Sequence, residues 1–299
     1  MSNPTPTLVR SIKELRVDLD RRRASGQSIG VVPTMGYLHD GHASLIRAAR
    51  AACDYVMVSI CVNPLQFAEG EDLSTYPKNI ERDTQLCGEA GADLLFVPSV
   101  EEMYPDGPVC TSVEVPELAG LWEGATRPEH FAGVCTVVSK LFFIAGPCSA
   151  FFGEKDFQQL SIIRRMVRDL SVPVTVVGCP TVRDHDGLAM SSRNSYLTDE
   201  ERVAAPVLRR ALDAGLQAIA EGERSSAAVV QIMADVVADE PLAALDYAAA
   251  VDAATLVQHP QLTGSIRLLI AAQLGRPRLI DNAGTDVGAI DASMTGELL

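Results

Sequence analysis

Apolar residues along this chain fall into short unbroken runs, separated by stretches where they recur every three or four positions. Ile29–Pro33, Tyr55–Val62, Leu94–Val97, Ala150–Phe152 and Val174–Val177 are continuous rather than alternating runs. Parallel strands covered on both faces take that form. Helical patterns lie between them, over 11–25, about 42–52, Pro77–Glu89 with Ala90-Gly91 closing it, Phe131–Ile144 and Phe157–Leu170. The stretch from Pro98 to His130, rich in Pro, Gly and acidic residues, reads as connections and surface loops.

Strand and helix alternate, and the helices are long enough for right-handed crossovers. The pattern predicts a doubly wound parallel α/β domain of Rossmann-like architecture. Its character changes after Asp184. Thr198, with Glu201 three residues later, marks a helix start, and a long Ala/Leu/Arg helix follows. After Gly222 a second helix runs through Val237. Leu245–Val251, Ile266–Ala271 and Arg278–Ile280 are candidate strands or short helices of a smaller α+β module, and the tail from Gly284 onward reads as loosely ordered. The expected domains are 1–184 and 185–299, and a chain of 299 residues is long enough to give each its own core.

Composition narrows the function classes. No stretch resembles a membrane span, and Met1–Val9 lacks a basic region followed by an apolar one, so the cytoplasm is the expected location. A net charge of −14 disfavours a nucleic-acid partner, because Arg21-Arg22-Arg23 and Arg164-Arg165 are too short to make a basic face. The seven cysteines are widely spaced with no Cys-x-x-Cys pair, and are expected to be small hydrophobes rather than a disulfide framework or a zinc site.

Candidate chemistry appears first at His39-Asp40-Gly41-His42, a strand-to-helix junction behind Pro33-Thr34-Met35-Gly36. Two histidines three apart at a first helical turn can face one side. Gly41 lets a phosphate approach the backbone, and the unpaired amides of a helix start favour an anion. Incidental capping histidines and a metal pair are the other readings; no third ligand is obvious nearby. The junction has neither of the glycine-rich phosphate loops of dinucleotide enzymes and P-loop hydrolases.

The turn resembles that of the nucleotidyltransferase superfamily. Within it, the chain resembles the pantothenate synthetases (pantoate–β-alanine ligases) much more closely. The matching blocks are Pro33–His42, Val62–Phe67, Arg127–Gly133, Phe151–Gln159, Asp186–Asn194 and Leu274–Asn282, in order along nearly the whole chain. Leu65 stands where the family often has Met, a mild change of shape, and Trp122 where a smaller apolar residue is common. The resemblance implies condensation of pantoate with β-alanine, with ATP cleaved to AMP and diphosphate through a pantoyl adenylate. It also implies a smaller C-terminal domain that closes over the cleft, and a homodimer.

Carried residue by residue, the resemblance implies that Met35, Gly36, Tyr37, Leu38, His39, Asp40, Gly41 and His42 line the ATP phosphates. His42 would be chiefly a charge-stabilising donor, since adenylyl transfer to a carboxylate removes no proton from the nucleophile while the departing diphosphate needs its charge met. Gly153, Glu154, Lys155 and Asp156 follow a strand, with Lys155 as a phosphate cation and Asp156 as a ribose or lysine partner. Met190, Ser191, Ser192 and Arg193 would form a second phosphate clamp, and Val182 would lie near the adenine. Gln66 and Gln159 resemble the pair that holds the pantoate hydroxyls and carboxylate, a role suited to an amide that both donates and accepts. Asn63, Tyr76 and Arg127 are further candidates around pantoate and β-alanine, Arg127 being as readily structural. Mg²⁺ is expected to arrive with ATP on phosphate and water ligands, so no protein metal site is assigned. A simple nucleotidyltransferase would share the histidine turn but has no reason to carry both glutamines with the Asp186–Asn194 block. A non-catalytic nucleotide-binding protein has no reason to carry this set of histidines, lysine and arginine.

Overall fold

The continuous apolar runs become strands of a parallel sheet in the computed structural model, which describes residues 5–68, 70–71, 73–107 and 109–288. The chain divides into two units. The first extends to Val182 and takes in Met190–Ser192; the second comprises Arg183–Ala189 and the chain from Arg193 on.

In the first unit the elements follow as β1 (Thr7–Val9), α1 (Ile12–Ala24), β2 (Ile29–Thr34), α2 (Asp40–Ala52), β3 (Tyr55–Ile60), α3 (Ile80–Ala90) and β4 (Leu94–Phe96). Three short helices come next, α4 (Val100–Met103), α5 (Pro116–Ala119) and α6 (Trp122–Thr126). They are followed by α7 (His130–Ala145), β5 (Cys148–Gly153), α8 (Phe157–Asp169) and β6 (Val174–Cys179). The six strands are parallel in the order β1-β4-β3-β2-β5-β6. From β2 the chain steps to β3 and β4, then crosses back to the other side of β2 for β5 and β6. The topological switch therefore lies between β2 and β5, and open α/β sheets take their ligands at the carboxyl ends of the strands there.

Burial explains the unbroken runs: Ile29–Val32 and Tyr55–Ser59 have no exposed face. Against one side lie Ala43, Leu45, Ile46 and Ala49 of α2, in a cluster with Val32, Val56, Val58, Leu95 and Phe151. Each large apolar side chain buried in this way contributes about 1.5–3 kcal/mol, which makes the sheet a stiff base for its carboxyl-end loops. Gly91 ends α3 in the left-handed region (φ 98°), as its place after Ala90 predicts.

Several expectations change. β1 has no apolar run to announce it, since only Val9 of its three residues is buried. The Pro98–His130 stretch carries three short helices and not only loops. Trp122 opens α6 with a left-handed backbone (φ 42°), and the next amide, of Glu123, donates to Gln158 Oε1 at 3.1 Å.

The second unit contains α9 (Asp199–Ala204), α10 (Val207–Ala220), α11 (Ser226–Ala238) and an antiparallel sheet of β7 (Ala243–Asp252), β8 (Gly264–Leu274) and β9 (Arg278–Val287). All three candidate segments are strands. Leu208, Leu212, Val229, Met233, Leu268 and Ile270 share its core. The Thr198/Glu201 capping box forms. The long helix expected after it is broken by Pro206, which has no amide to donate and whose ring clashes with the preceding turn. Gly284–Val287, expected to be loose, pairs with Gly264–Arg267 as the end of β9; the tail at 289–299 lies outside the described residues. Arg183 and buried Asp281 join through two hydrogen bonds of 2.6 and 2.9 Å, and Arg202 holds Asp184 and Asp186.

None of the seven cysteines forms a disulfide among the described residues. Burial pushes Cys61 up to about 11, and Cys87, Cys135 and Cys148 up to about 12, so these four stay protonated at neutral pH. Among the described residues, no helix is long and apolar enough to cross a membrane.

Candidate active site

At the carboxyl end of β2, Thr34 begins a turn built almost wholly from backbone hydrogen bonds to side chains. Its hydroxyl donates to Ser59 O at 2.7 Å and accepts from Gly36 N at 3.2 Å. Gly36 (φ 89°) and Tyr37 (φ 53°) are both left-handed. The amides of Tyr37 and Leu38 each donate at 2.8 Å to a different oxygen of Asp83 on α3. The chain then enters α2 with His39 as N-cap.

The two histidines cap one another's turn. His39 Nδ1 accepts from Gly41 N at 3.2 Å, and His42 Nδ1 accepts from His39 N at 3.3 Å. Gly41 makes this possible, because a Cβ there would lie 2.8–2.9 Å from the His39 ring. The expectation that unpaired amides greet an anion at this helix start is therefore corrected. From Gly36 to His42, only the Asp40 amide has no partner among the described residues. What the turn offers an anion is the histidines themselves. With Nδ1 accepting in both rings, the neutral imidazoles carry their protons on Nε2.

Their electrostatics agree. Burial, then the Lys155 charge, lowers the pKa of His39 to about 4; burial, then His39, lowers that of His42 to about 3, with Lys155 acting the same way. Both are neutral donors at physiological pH, with ring centroids 4.2 Å apart. Lys155 and Asp156 act on both rings, so the turn after β5 (Glu154–Asp156) lies beside the turn after β2, across the topological switch. Lys155 Nζ is 3.3 Å from Asp156 Oδ1.

Met190–Ser192 reaches the same turn. Met190 N donates to Val182 O at 3.0 Å, and its Cβ is 3.7 Å from where a Gly41 Cβ would be. Ser192 Oγ donates to Tyr37 O at 3.3 Å. Ser191 is half-buried, and Arg193 belongs to the second unit.

After β3, Asn63 caps the one-turn helix Pro64–Gln66. Asn63 is buried and fully engaged: Nδ2 donates to Gly133 O and Gln66 Oε1 at 3.1 and 3.2 Å, and Oδ1 accepts from Tyr104 OH and Leu65 N at 2.8 and 3.3 Å. Gln66 Nε2 meets Met35 Sδ at 3.1 Å, tying this turn to the one after β2. The Gln66 carbonyl is held by Arg127 at 3.2 Å and by His130 Nδ1 at 2.9 Å. Arg127 also grips Glu71 in a two-bond pair at 2.7 and 2.6 Å, so its charge is already spent in holding this segment. Buried Tyr76 stands edge-on to Phe67, with ring centroids 6.0 Å apart. Gln159 is half-buried in the first turn of α8, and its side-chain amide makes no hydrogen bond among the described residues. Its neighbour Gln158 is buried and holds the Leu118–Glu123 segment by bonds to Leu118 O, Leu121 O and Glu123 N.

Asp83, Tyr104, Glu71, His130 and Gln158 thus shape the site although the sequence did not single them out. His130 and Gln158 lie inside matching blocks. Asp83 and Tyr104 carry no local signal, being one acid in a helical pattern and one aromatic in a loop-rich stretch.

Comparison with known proteins identifies the chain's relatives. Residues 7–284 match the model of the family described as pantoate-beta-alanine ligase. The pantothenate synthetase of Heliobacterium modesticaldum is 51% identical over 280 residues, covering 94% of this chain and 99% of that protein. That of Sinorhizobium medicae is 51% identical over 92% of this chain and 94% of its own length. The crystal structure of the Thermus thermophilus pantothenate synthetase superposes with a TM-score of 0.88 at 48% identity, over 93% of this chain and 98% of that one. The Francisella tularensis pantoate-beta-alanine ligase, complexed with beta-gamma ATP and beta-alanine, gives 0.74 at 34% identity, over 93% and 97%. The match over residues 7–284, with these relatives and structures, places this chain in the pantoate-beta-alanine ligase family.

Proposed function

We propose that the chain condenses pantoate with β-alanine, cleaving ATP to AMP and diphosphate by way of a pantoyl adenylate, and that the carboxyl edge of the first unit's sheet performs the first step. In that step a pantoate carboxylate oxygen attacks the α-phosphorus, and the bond to diphosphate breaks. No proton moves, but negative charge collects on the leaving group. In the second step the β-alanine nitrogen attacks the acyl carbon, the bond to AMP breaks, and one proton is released.

One observation carries this reading. Two neutral imidazoles, each with its Nδ1 occupied and its Nε2–H available, lie beside Lys155 at the switch point. Fixed donors aimed at developing charge suit a reaction that needs no base on its nucleophile. Gln159, with its side-chain amide unused among the described residues, suits the pantoate hydroxyls and carboxylate. Gln66 completes that pocket, held by Asn63, Arg127 and His130; these contacts favour a supporting role for Asn63 and Arg127. Met35–His42, Gly153–Asp156, Val182 and Met190–Ser192 take ATP, which enters as its Mg²⁺ complex. The roles of Arg193 as a further phosphate cation, of the second unit as a lid and of a homodimer rest on the family resemblance alone, and location in the cytoplasm rests on the sequence pattern. The Francisella protein's complex supports ATP and β-alanine as ligands.

Isotope exchange tests the reading. With ATP, Mg²⁺, pantoate and labelled diphosphate, but no β-alanine, label should return to ATP, and omitting pantoate should abolish this. Exchange that requires β-alanine, or ADP in place of AMP, would rule out the adenylate.

A further inference from the structure

Asp83 is one of the few buried charged residues of the first unit, 1% exposed, and among the described residues no Lys or Arg forms a salt bridge with it, although the Arg82 charge acts on it. A lone carboxylate is costly to bury unless its oxygens are met by donors. Both are met here, by backbone amides 46 and 45 residues away in sequence. A helix that merely needed to pack could carry an apolar residue at this position at no such cost. The carboxylate is placed for the turn: a Cβ on Gly36 would lie 3.2 Å from Asp83 Oδ2.

The peptide units it grips are the ones that need holding. Tyr37 is left-handed although it is not glycine, a conformation that persists only when its surroundings impose it. Asp83 takes its N–H, Ser192 its carbonyl at 3.3 Å, and the Arg82 guanidinium lies 5.3 Å from its ring centre. Leu38, the second residue Asp83 holds, directly precedes His39, and the His39 N–H in turn fixes His42. The chain of contacts thus runs from α3 through two amides to the orientation of both imidazoles.

We infer that Asp83 is a positioning residue for adenylyl transfer, whose two backbone hydrogen bonds hold the Gly36–Leu38 turn and thereby the aim of the His39 and His42 Nε2–H donors. The inference rests on the proposed function, since it assigns those donors to the departing diphosphate. It predicts that Asp83→Asn, nearly the same shape but facing one of the two amides with a second donor, lowers kcat for pantoate-dependent diphosphate exchange by on the order of a hundredfold. The pantoate KM should stay near wild type, because Gln66 sits on a turn held by Asn63, Arg127 and His130, and Gln159 is carried by α8. Asp54→Asn, which removes a carboxylate bonded to Ser28 at the opposite edge of the sheet, should leave kcat unchanged.

A readout independent of activity is the imidazole nitrogen spectrum. In wild type, His39 and His42 should show fixed Nε2–H tautomers; in Asp83→Asn they should show averaged tautomers and raised pKa values. Asp83→Glu, which keeps the charge but moves it by one methylene, makes the same test if the asparagine variant does not fold. Wild-type kcat in these variants, or lost kcat with unchanged imidazole spectra, would overturn the inference. Absence of exchange in the wild-type enzyme would instead defeat the proposed function, and the spectra would still decide the role of Asp83.

Discussion

Gly133 sits on α7 where the helix runs directly against the Pro64–Gln66 turn. A Cβ there would stand 2.1 Å from Leu65 O, 2.4 Å from Leu65 C and 2.6 Å from Gln66 N, all of them backbone atoms. Ordinary contact begins beyond about 3.4 Å, so Gly133→Ala forces helix and turn apart by roughly 1 Å, with no flexible side chain to absorb the shift. Overpacking of this kind costs about 1–3 kcal/mol, and loss of the bond from Asn63 Nδ2 to Gly133 O adds about 1 kcal/mol. The sum, about 2–4 kcal/mol, should lower the melting temperature of the first unit by roughly 5–15 °C. Gln66 rides on this turn, so pantoate KM in the exchange assay should rise by more than that for ATP. Differential scanning calorimetry, with exchange kinetics in which each substrate is varied in turn, reads both effects. A Gly133→Ala enzyme with wild-type melting and wild-type pantoate KM would refute the close approach and the part of Gln66 in pantoate binding together.

Three other expectations are more compact. His42→Ala should keep the fold but lose about 3–4 kcal/mol of transition-state stabilisation, seen in stopped flow as slowed adenylate formation; unchanged speed in that step would remove His42 from it. Gln159→Ala should impair pantoate use while sparing ATP binding by titration calorimetry, and the reverse pattern would reverse the pocket. Stability should fall as the pH drops from about 6.5 toward 4, because the unfolded chain protonates its histidines near 6.5 while folded His39 and His42, held at about 4 and about 3, do not; each contributes a slope of up to about 1.4 kcal/mol per pH unit in that window and none above it, so a His39→Gln/His42→Gln chain with an unchanged pH slope would contradict the buried neutral pair.

The sheet was legible because its physics is local. Residues buried on both faces must be apolar without interruption, so Tyr55–Ser59 announces itself. β1 did not, since an edge strand of three residues with one buried side chain needs no such run. Pro206 breaks the helix because it has no amide to donate, a local signal masked by the Ala/Leu-rich pattern on either side. In the site, the motifs following β2, β3 and β5 carried their own chemistry in residue type. What could not be read was which polar groups are already spent. Arg127 in sequence is a free cation, but in the fold it is closed by Glu71 and the Gln66 carbonyl. Asp83 in sequence is one acid among several on an amphipathic helix, and its meaning lies 46 residues away. Partnership across that distance has no periodicity to betray it.

The same distinction decides how the histidine turn works. A helix start usually binds anions through bare amides. Here the histidines consume the amides of Gly41 and His39, and Asp83 those of Tyr37 and Leu38, which leaves little backbone to offer. That exchange has a chemical consequence. Amide donors are fixed in direction by the helix, whereas an Nε2–H on the far side of a capped imidazole extends several ångströms further from it while keeping the same neutral charge. A neutral donor strengthens as its acceptor gains charge and costs no proton transfer, in keeping with a first step in which none occurs. Had the pair been protonated, two like charges with ring centroids 4.2 Å apart beside Lys155 would repel one another. Burial and Lys155 drive both pKa values down and so remove that cost.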